Sequence, residues 1–187
     1  MSSKVERPKA DGRLRIAISG KSGCGNTTVS GLVAARLGLP LVNYTFKDLA
    51  RDRGMSFAQL SLLAESDPQY DLTIDRMQVR LAQNGSCVMG SRLAIWLLRD
   101  SAFTVYLRAP LAVRAERIAR REGKDLALAI RETRERDQRD HDRYQRLYGY
   151  DVDTFDFAML VIDTETMNQD EEAALIVDHS AAMPGLR

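Results

Sequence analysis

Gly20-Lys21-Ser22-Gly23-Cys24-Gly25-Asn26-Thr27-Thr28 is the stretch on which the reading of this chain turns. It follows the apolar run Leu14-Arg15-Ile16-Ala17-Ile18-Ser19. It opens a segment whose apolar residues Val29, Leu32, Val33 and Leu37 recur at helical spacing. A strand, a glycine-rich loop and a helix in that order gather backbone N–H groups and a helix N-terminus around an anion. Gly20 and Gly25 bracket the turn, where a Cβ is expected to crowd an approaching phosphate. Loops of this kind ordinarily read Gly-Lys-Thr at the helix start, whereas this chain reads Gly25-Asn26-Thr27. The Asn26 amide donates a hydrogen bond but neutralises no charge. The loop's lysine is Lys21, directly after Gly20, on a stem long and flexible enough to fold back over the loop. Either Lys21 replaces the missing cation, or the loop binds phosphate without catalysing its transfer.

Outward from the loop, short apolar runs alternate with helical periods. Strands are expected at 14–19, 39–42, 87–89, 103–107 and 159–163. Helices are expected from Asn26 to Leu37, Thr45 to Arg53, Ser56 onward, Asp71 to Gln83 and Leu93 to Leu98. Three more are expected from Pro110 to Glu122, from Asp125 to Tyr148 with room for a bend, and from Asn168 or Gln169 to Ala182. Gly38 and Gly123 mark helix ends, Ser56 with Gln59 has capping-box spacing, and Asp125 is a candidate N-cap. The alternation predicts an α/β fold with a mostly parallel sheet and helices on both faces. Ligands of such sheets bind beyond the carboxyl ends of the strands. The Gly20 loop, Gly90-Ser91-Arg92, Arg108 and Asp163 all fall there. Residues 14–182 read as one domain, preceded by a loose polar tail at 1–13.

The bulk composition is that of an ordinary globular chain: 187 residues, 44% hydrophobic, 28% charged, net charge +1. That balance argues against a stable nucleic-acid partner. The many arginines between Arg108 and Arg146 are interrupted by Glu135, Asp137, Asp140 and Asp142 rather than forming a basic stripe. No run is long enough to cross a membrane, and the first residues lack the apolar segment of a signal peptide. Cys24 and Cys87 are too few for a disulfide framework, so reduced thiols and a cytoplasmic location are expected. Cys24, beside a helix N-terminus, is a candidate for a lowered thiol pKa. His141 between Asp140 and Asp142 does not have the spacing of a metal-ligand set.

An ordered series of further segments goes beyond the loop. It runs through Ile18-Ser19-Gly20, Phe46-Lys47-Asp48-Leu49-Ala50, Ile74-Asp75-Arg76-Met77-Gln78, Arg92-Leu93-Ala94 with Trp96, and Ala109-Pro110 through Ile118. It closes with Arg131 to Arg136, Arg143-Tyr144, Leu147-Tyr148-Gly149 and Val161-Ile162-Asp163-Thr164. With these segments the chain resembles the nucleoside monophosphate kinases, most closely the short archaeal-type cytidylate kinases, over nearly all of residues 14–180. The resemblance implies a P-loop kinase fold with a five-stranded parallel sheet, an acceptor-binding segment at about 44–84 and an arginine-rich lid at about 120–148. It implies transfer of the γ-phosphoryl group of ATP to CMP or dCMP with Mg²⁺, in a monomer or weak homodimer. Gly20, Ser22, Gly23, Cys24, Gly25, Asn26, Thr27 and Thr28 then hold the donor phosphates, with Thr27 toward Mg²⁺ and Asp163 near the donor adenine. Lys47 and Arg92 fall at the acceptor phosphate and Asp75 near the acceptor base. The family's loop lysine falls where Asn26 stands, which leaves Lys21 as the candidate to replace it. Arg117 and Arg121, and Arg131 and Arg134, supply the lid's guanidinium groups.

The spacing agrees with those roles, since Arg117 and Arg121 at i,i+4 share a helix face, as do Arg131 and Arg134 at i,i+3. The chain departs from the family pattern at Asn26, at Gly90-Ser91 where glutamate and glycine are common, at Lys47 for arginine, and at Ile95, which is expected to narrow the base pocket. These departures leave a second reading open: a nucleotide-binding or regulatory protein of the same fold that has lost catalysis.

Overall fold

The computed structural model describes residues 11–181. The expected tail, apart from residues 11–13, and the last residue of the closing helix lie outside them. Five strands form one parallel sheet: β1 (Arg15–Gly20), β2 (Leu41–Val42), β3 (Cys87–Gly90), β4 (Phe103–Arg108) and β5 (Leu160–Asp163), in the spatial order β2-β3-β1-β4-β5. The helices are α1 (Asn26–Leu37), α2 (Phe46–Asp52), α3 (Phe57–Ser66), α4 (Gln69–Gln83), α5 (Ala94–Leu97), α6 (Leu111–Glu122), α7 (Leu126–Tyr148) and α8 (Gln169–Ala181).

β1 is the central strand, and its side chains alternate between two cores. Ile16 and Ile18 join Val29, Val33, Val105, Leu107, Ile162 and Ile176 on the face that α1 and α8 cover. Ala17 joins Val79, Met89, Leu97, Trp96 and Tyr106 on the other. Burying each isoleucine stabilises the fold by roughly 1.5–3 kcal/mol. A smaller cluster of Leu49, Ala50, Leu60 and Ile74 gives the segment between β2 and β3 a core of its own. Ala115, Ala119 and Ala129 let α6 and α7 pack closely.

Local chemistry fixes the helix ends. Thr45 with Asp48 and Ser56 with Gln59 form capping boxes, and the Asp125 side chain accepts from the Leu128 N–H. Gly38, Gly123 and Gly149 end their helices in the left-handed conformation. α7 runs without interruption. Among the described residues, no helix is long and apolar enough to cross a membrane.

Candidate functional site

The loop after β1 opens on a cleft of 880 Å³. The end of β3, the start of α1, one face of α4, α6 and the start of α8 enclose it. It lies beyond the carboxyl end of β1, between the neighbouring strands β3 and β4.

Gly20 is required by close approach: a Cβ there would stand 2.5 Å from the Leu107 carbonyl oxygen and 2.9 Å from Asn26 Oδ1. Gly25 is constrained by its backbone instead. A Cβ there would meet nothing nearer than 3.7 Å, and the constraint is its φ of 96°. Gly25 is also the N-cap of α1 and carries no capping side chain, and no acid occupies the helix's first turn. The first N–H groups of α1 are therefore left to an anion, whereas α2, α3 and α7 spend side chains on theirs. Thr27 and Thr28 are exposed on the cleft wall. Asn26 donates from Nδ2 to the Gly20 carbonyl at 2.9 Å, a bond that ties the two ends of the loop together.

The cations come from four directions. Lys21 is ion-paired with Asp153 in the segment after α7. Arg92, just past β3, donates to Ser22 Oγ at 2.7 Å and pairs with Asp140 of α7. Ser19 steadies that turn: its hydroxyl donates to the Ser91 carbonyl at 2.9 Å and accepts from the Ile95 N–H at 3.1 Å. Arg117 donates to the Thr164 hydroxyl at 2.9 Å and carbonyl at 2.5 Å, and to the Gly23 carbonyl at 3.4 Å. Arg121, one turn on, also lines the cleft, as does Arg143 of α7. Arg114, 4% exposed, braces the loop from behind through the Ser22 carbonyl at 3.2 Å and an ion pair with Asp137 at 2.7 Å. The acids of α7 and the segment after it thus hold Lys21 of the loop and Arg92 and Arg114, which contact it.

Acids stand at the two ends of the cleft. Asp71, Ile74, Asp75 and Gln78 project from one face of α4. Asp71 pairs with Arg143 at 3.3 Å. Asp75 accepts from the Tyr148 hydroxyl, and burial raises its carboxyl to about 6. At the other end Glu172 of α8, 2% exposed, is raised by burial to about 7, with Arg117 opposing the shift. Among the described residues, six buried side-chain polar atoms lack a hydrogen-bond partner. Five of them belong to cleft-lining residues: Asn26 Oδ1, Gln78 Oε1, Ser91 Oγ, Arg143 Nε and Glu172 Oε2. Buried polar groups are rarely left unpaired, and their concentration here marks a surface shaped for a polar ligand.

The structure thus brings together Gly20 through Thr28, Asp75, Arg92, Arg117 and Arg121. Other expected site residues lie elsewhere. Arg131 and Arg134 are exposed on α7 and are not among the cleft-lining residues; their shared face points away. Lys47 is exposed on α2 with its ammonium 6.0 Å from the centre of the Phe57 ring. Asp163 ends β5 beside Arg108, at 3.4 Å, and it is its neighbour Thr164 that touches a cleft residue. Ile95 is fully buried in the core and is not among the residues that line the cleft. Gly90 is explained by packing: a Cβ there would lie 2.4 Å from Ser30 Oγ of α1. Cys24 is buried, and burial raises its thiol to about 11, the reverse of an activated thiolate. His141 gains partners that its neighbours in sequence did not suggest. Its Nδ1 lies 3.0 Å from Asp153, and with Asp151 the three groups bring ligand atoms within 4.8 Å of one another, beside the Lys21 ammonium.

Residues 15–166 match the model of the cytidylate kinase-like family. Over 169 residues the chain is 40% identical to "Cytidylate kinase 2" of Borrelia garinii subsp. bavariensis, covering 88% of this chain and 95% of that one. Over 164 residues it is 42% identical to the cytidylate kinase of Aeropyrum pernix, covering 86% and 95%. In three dimensions it resembles shikimate kinase from Bacteroides thetaiotaomicron, with a TM-score of 0.59 at 13% identity over 91% of this chain and 99% of that one. It also resembles deoxyadenosine kinase from M. mycoides with bound dATP, with a TM-score of 0.53 at 17% identity over 90% and 100%. These likenesses establish the P-loop kinase fold.

Proposed function

The chain belongs to the cytidylate kinase-like family, and on that premise we propose that it moves the γ-phosphoryl group of ATP to CMP or dCMP, with Mg²⁺. The observation that carries the reading is one cleft with Lys21, Arg92, Arg117 and Arg121 around an uncapped helix N-terminus. Phosphoryl transfer needs positioning and positive charge around the donor and acceptor oxygens rather than a covalent nucleophile.

In this reading the loop N–H groups hold the donor phosphates. Arg92, fixed by Ser22 and Asp140, positions the acceptor phosphate so that its oxygen attacks the γ-phosphorus as the bond to the β-phosphate oxygen breaks. Lys21 leaves Asp153 for the phosphates and supplies the charge that Asn26 does not. Arg117 and Arg121 cover the donor side and exclude water, which would otherwise compete as acceptor. The exposed Thr27 hydroxyl in the first turn of α1 suits Mg²⁺, which when bound neutralises charge on the donor phosphates. Asp75 stands on the wall that faces the acceptor base.

The test is a coupled ADP-release assay with ATP, Mg²⁺ and CMP, dCMP, UMP, AMP or GMP in turn. Turnover confined to, or strongest with, CMP and dCMP is expected. Failure with every monophosphate, while ATP binds, favours a nucleotide-binding protein without catalysis. That second reading draws on the engagement of both Lys21 and Asn26 elsewhere: Lys21 with Asp153, Asn26 with the Gly20 carbonyl.

A further inference from the structure

We propose that Gln78 reads the exocyclic amine of the acceptor base and so selects cytosine over uracil; this deepens, and rests on, the acceptor reading above. Gln78 is 4% exposed on the cleft face of α4, one turn beyond Asp75. Its Nε2 donates to the Tyr44 main-chain carbonyl at 2.7 Å. Its Oε1 is buried without a partner.

These two facts fix a direction. A main-chain carbonyl only accepts, so turning the amide over would set oxygen against oxygen and lose the Tyr44 bond. Oε1 is therefore a held, unpaired acceptor on a side chain that lines the cleft. A buried acceptor of this kind calls for a donor. Cytosine offers an N4 amine where uracil has a carbonyl oxygen. The first completes the glutamine's hydrogen bonds, and the second places two acceptors face to face. A site built to hydrogen-bond one group rejects the analogue lacking it far more strongly than an apolar pocket rejects a change in size. Tyr44 carries the information in its backbone, so its ring remains engaged elsewhere, donating to Asp52 at 2.7 Å.

The other walls fit an uncharged polar ligand edge at this end. Arg143 is held by Asp71 at 3.3 Å and Asp140 at 3.2 Å, so its guanidinium is neutralised within the protein. Its Nε remains a buried donor without a partner, matched to a ring nitrogen or carbonyl rather than to a phosphate.

The experiment is calorimetric titration of CMP and UMP, which needs no turnover, into wild type, Gln78→Met and Gln78→Glu, with thermal melting of each variant alongside. Wild type is expected to bind CMP about 30-fold more tightly than UMP. Gln78→Met is expected to lose about that factor for CMP and little for UMP, bringing the two within about 3-fold. Gln78→Glu keeps an acceptor oxygen but sets its other oxygen against the Tyr44 carbonyl, so it is expected to bind CMP more weakly than wild type while still preferring CMP to UMP. Should Gln78→Met fail to fold, the monophosphate of pyrimidin-2-one riboside, which lacks the amine but adds no opposing oxygen, is the test on wild type: it should bind more weakly than CMP and more tightly than UMP, and binding equal to that of CMP overturns the proposal. A CMP preference that survives in Gln78→Met, or equal binding of CMP and UMP by wild type, overturns the proposal while CMP-dependent ADP release leaves the kinase reading intact. Binding of neither nucleotide overturns both.

Discussion

Lys21 of the phosphate loop is ion-paired with Asp153, and the other oxygen of that carboxylate lies 3.0 Å from His141 Nδ1. The pair is partly exposed, with side-chain accessibilities of 32% and 49%, so it holds the lysine with little energy, on the order of 0–1 kcal/mol. A triphosphate can outcompete it. Asp153→Asn is therefore expected to raise kcat/KM for ATP by about 2–5-fold at low salt, with the gain fading as salt screens the pair in wild type. Steady-state kinetics at two ionic strengths check this; an unchanged value at low salt would mean that the pair does not compete with ATP.

Arg92 couples the end of β3 to both the phosphate loop and α7 through Ser22 and Asp140. Replacing it with lysine removes the fork that spans them. Arg92→Lys is expected to lower kcat/KM for CMP by about 100-fold or more while the KM for ATP moves by less than about 3-fold. An equal loss toward both nucleotides would place Arg92 in loop architecture rather than at the acceptor phosphate.

Gly90 meets Ser30 at the contact between β3 and α1, where a new Cβ would lie 2.6 Å from the Ser30 Cβ. α1 cannot yield without disturbing the phosphate loop that leads into it, nor β3 without disturbing its pairing with β1. Gly90→Ala is expected to cost about 1–3 kcal/mol and to lower Tm by roughly 2–12 °C. Differential scanning calorimetry measures it directly, and an unshifted Tm would show that the contact is slack.

Burial raises Glu172 from its ordinary 4.5 to about 7. The native state therefore holds a proton that the unfolded chain has released between those values. Stability is full below about pH 4.5 and falls as pH rises toward about 7. Asp75, raised by burial from 3.8 to about 6, acts in the same direction over a lower window. Glu172→Gln, which cannot ionise, is expected to be more stable than wild type by about 1–3 kcal/mol at pH 8, with the gap closing below about pH 4.5. Urea unfolding across that range reads the difference; a gap that does not vary with pH would contradict it.

The fold was legible where its signals are local. α1 spans the expected Asn26–Leu37 because a positive-φ glycine stands at each end. The starts of α2, α3 and α7 follow from Thr45, Ser56 and Asp125, whose side chains reach N–H groups three residues on. The strand interiors were visible as short apolar runs, with boundaries one residue off at β1, β3, β4 and β5 and two residues off at the start of β2. The site was legible only in part. Spacing showed that Arg131 and Arg134 share a face of α7, as Arg117 and Arg121 share one of α6, but not toward what each face turns. That depends on how the alanines at 115, 119 and 129 set the two helices together. Gln78 and Arg143 stood within recognisable segments, yet their unpaired atoms emerge only when α4 and α7 meet across the cleft. The Lys21–Asp153 pair joins residues with no local relation in sequence, and nothing in the chain's periodicity announces it.

The central claim is that Lys21 supplies the charge a phosphate loop with Asn26 lacks. It is tested most directly by kcat for CMP-dependent ADP release in wild type, Lys21→Ala and the double variant Lys21→Ala with Asn26→Lys. A fall of about 100-fold or more in Lys21→Ala, with recovery to within about 10-fold in the double variant, is the predicted result. Wild-type turnover in Lys21→Ala would contradict it.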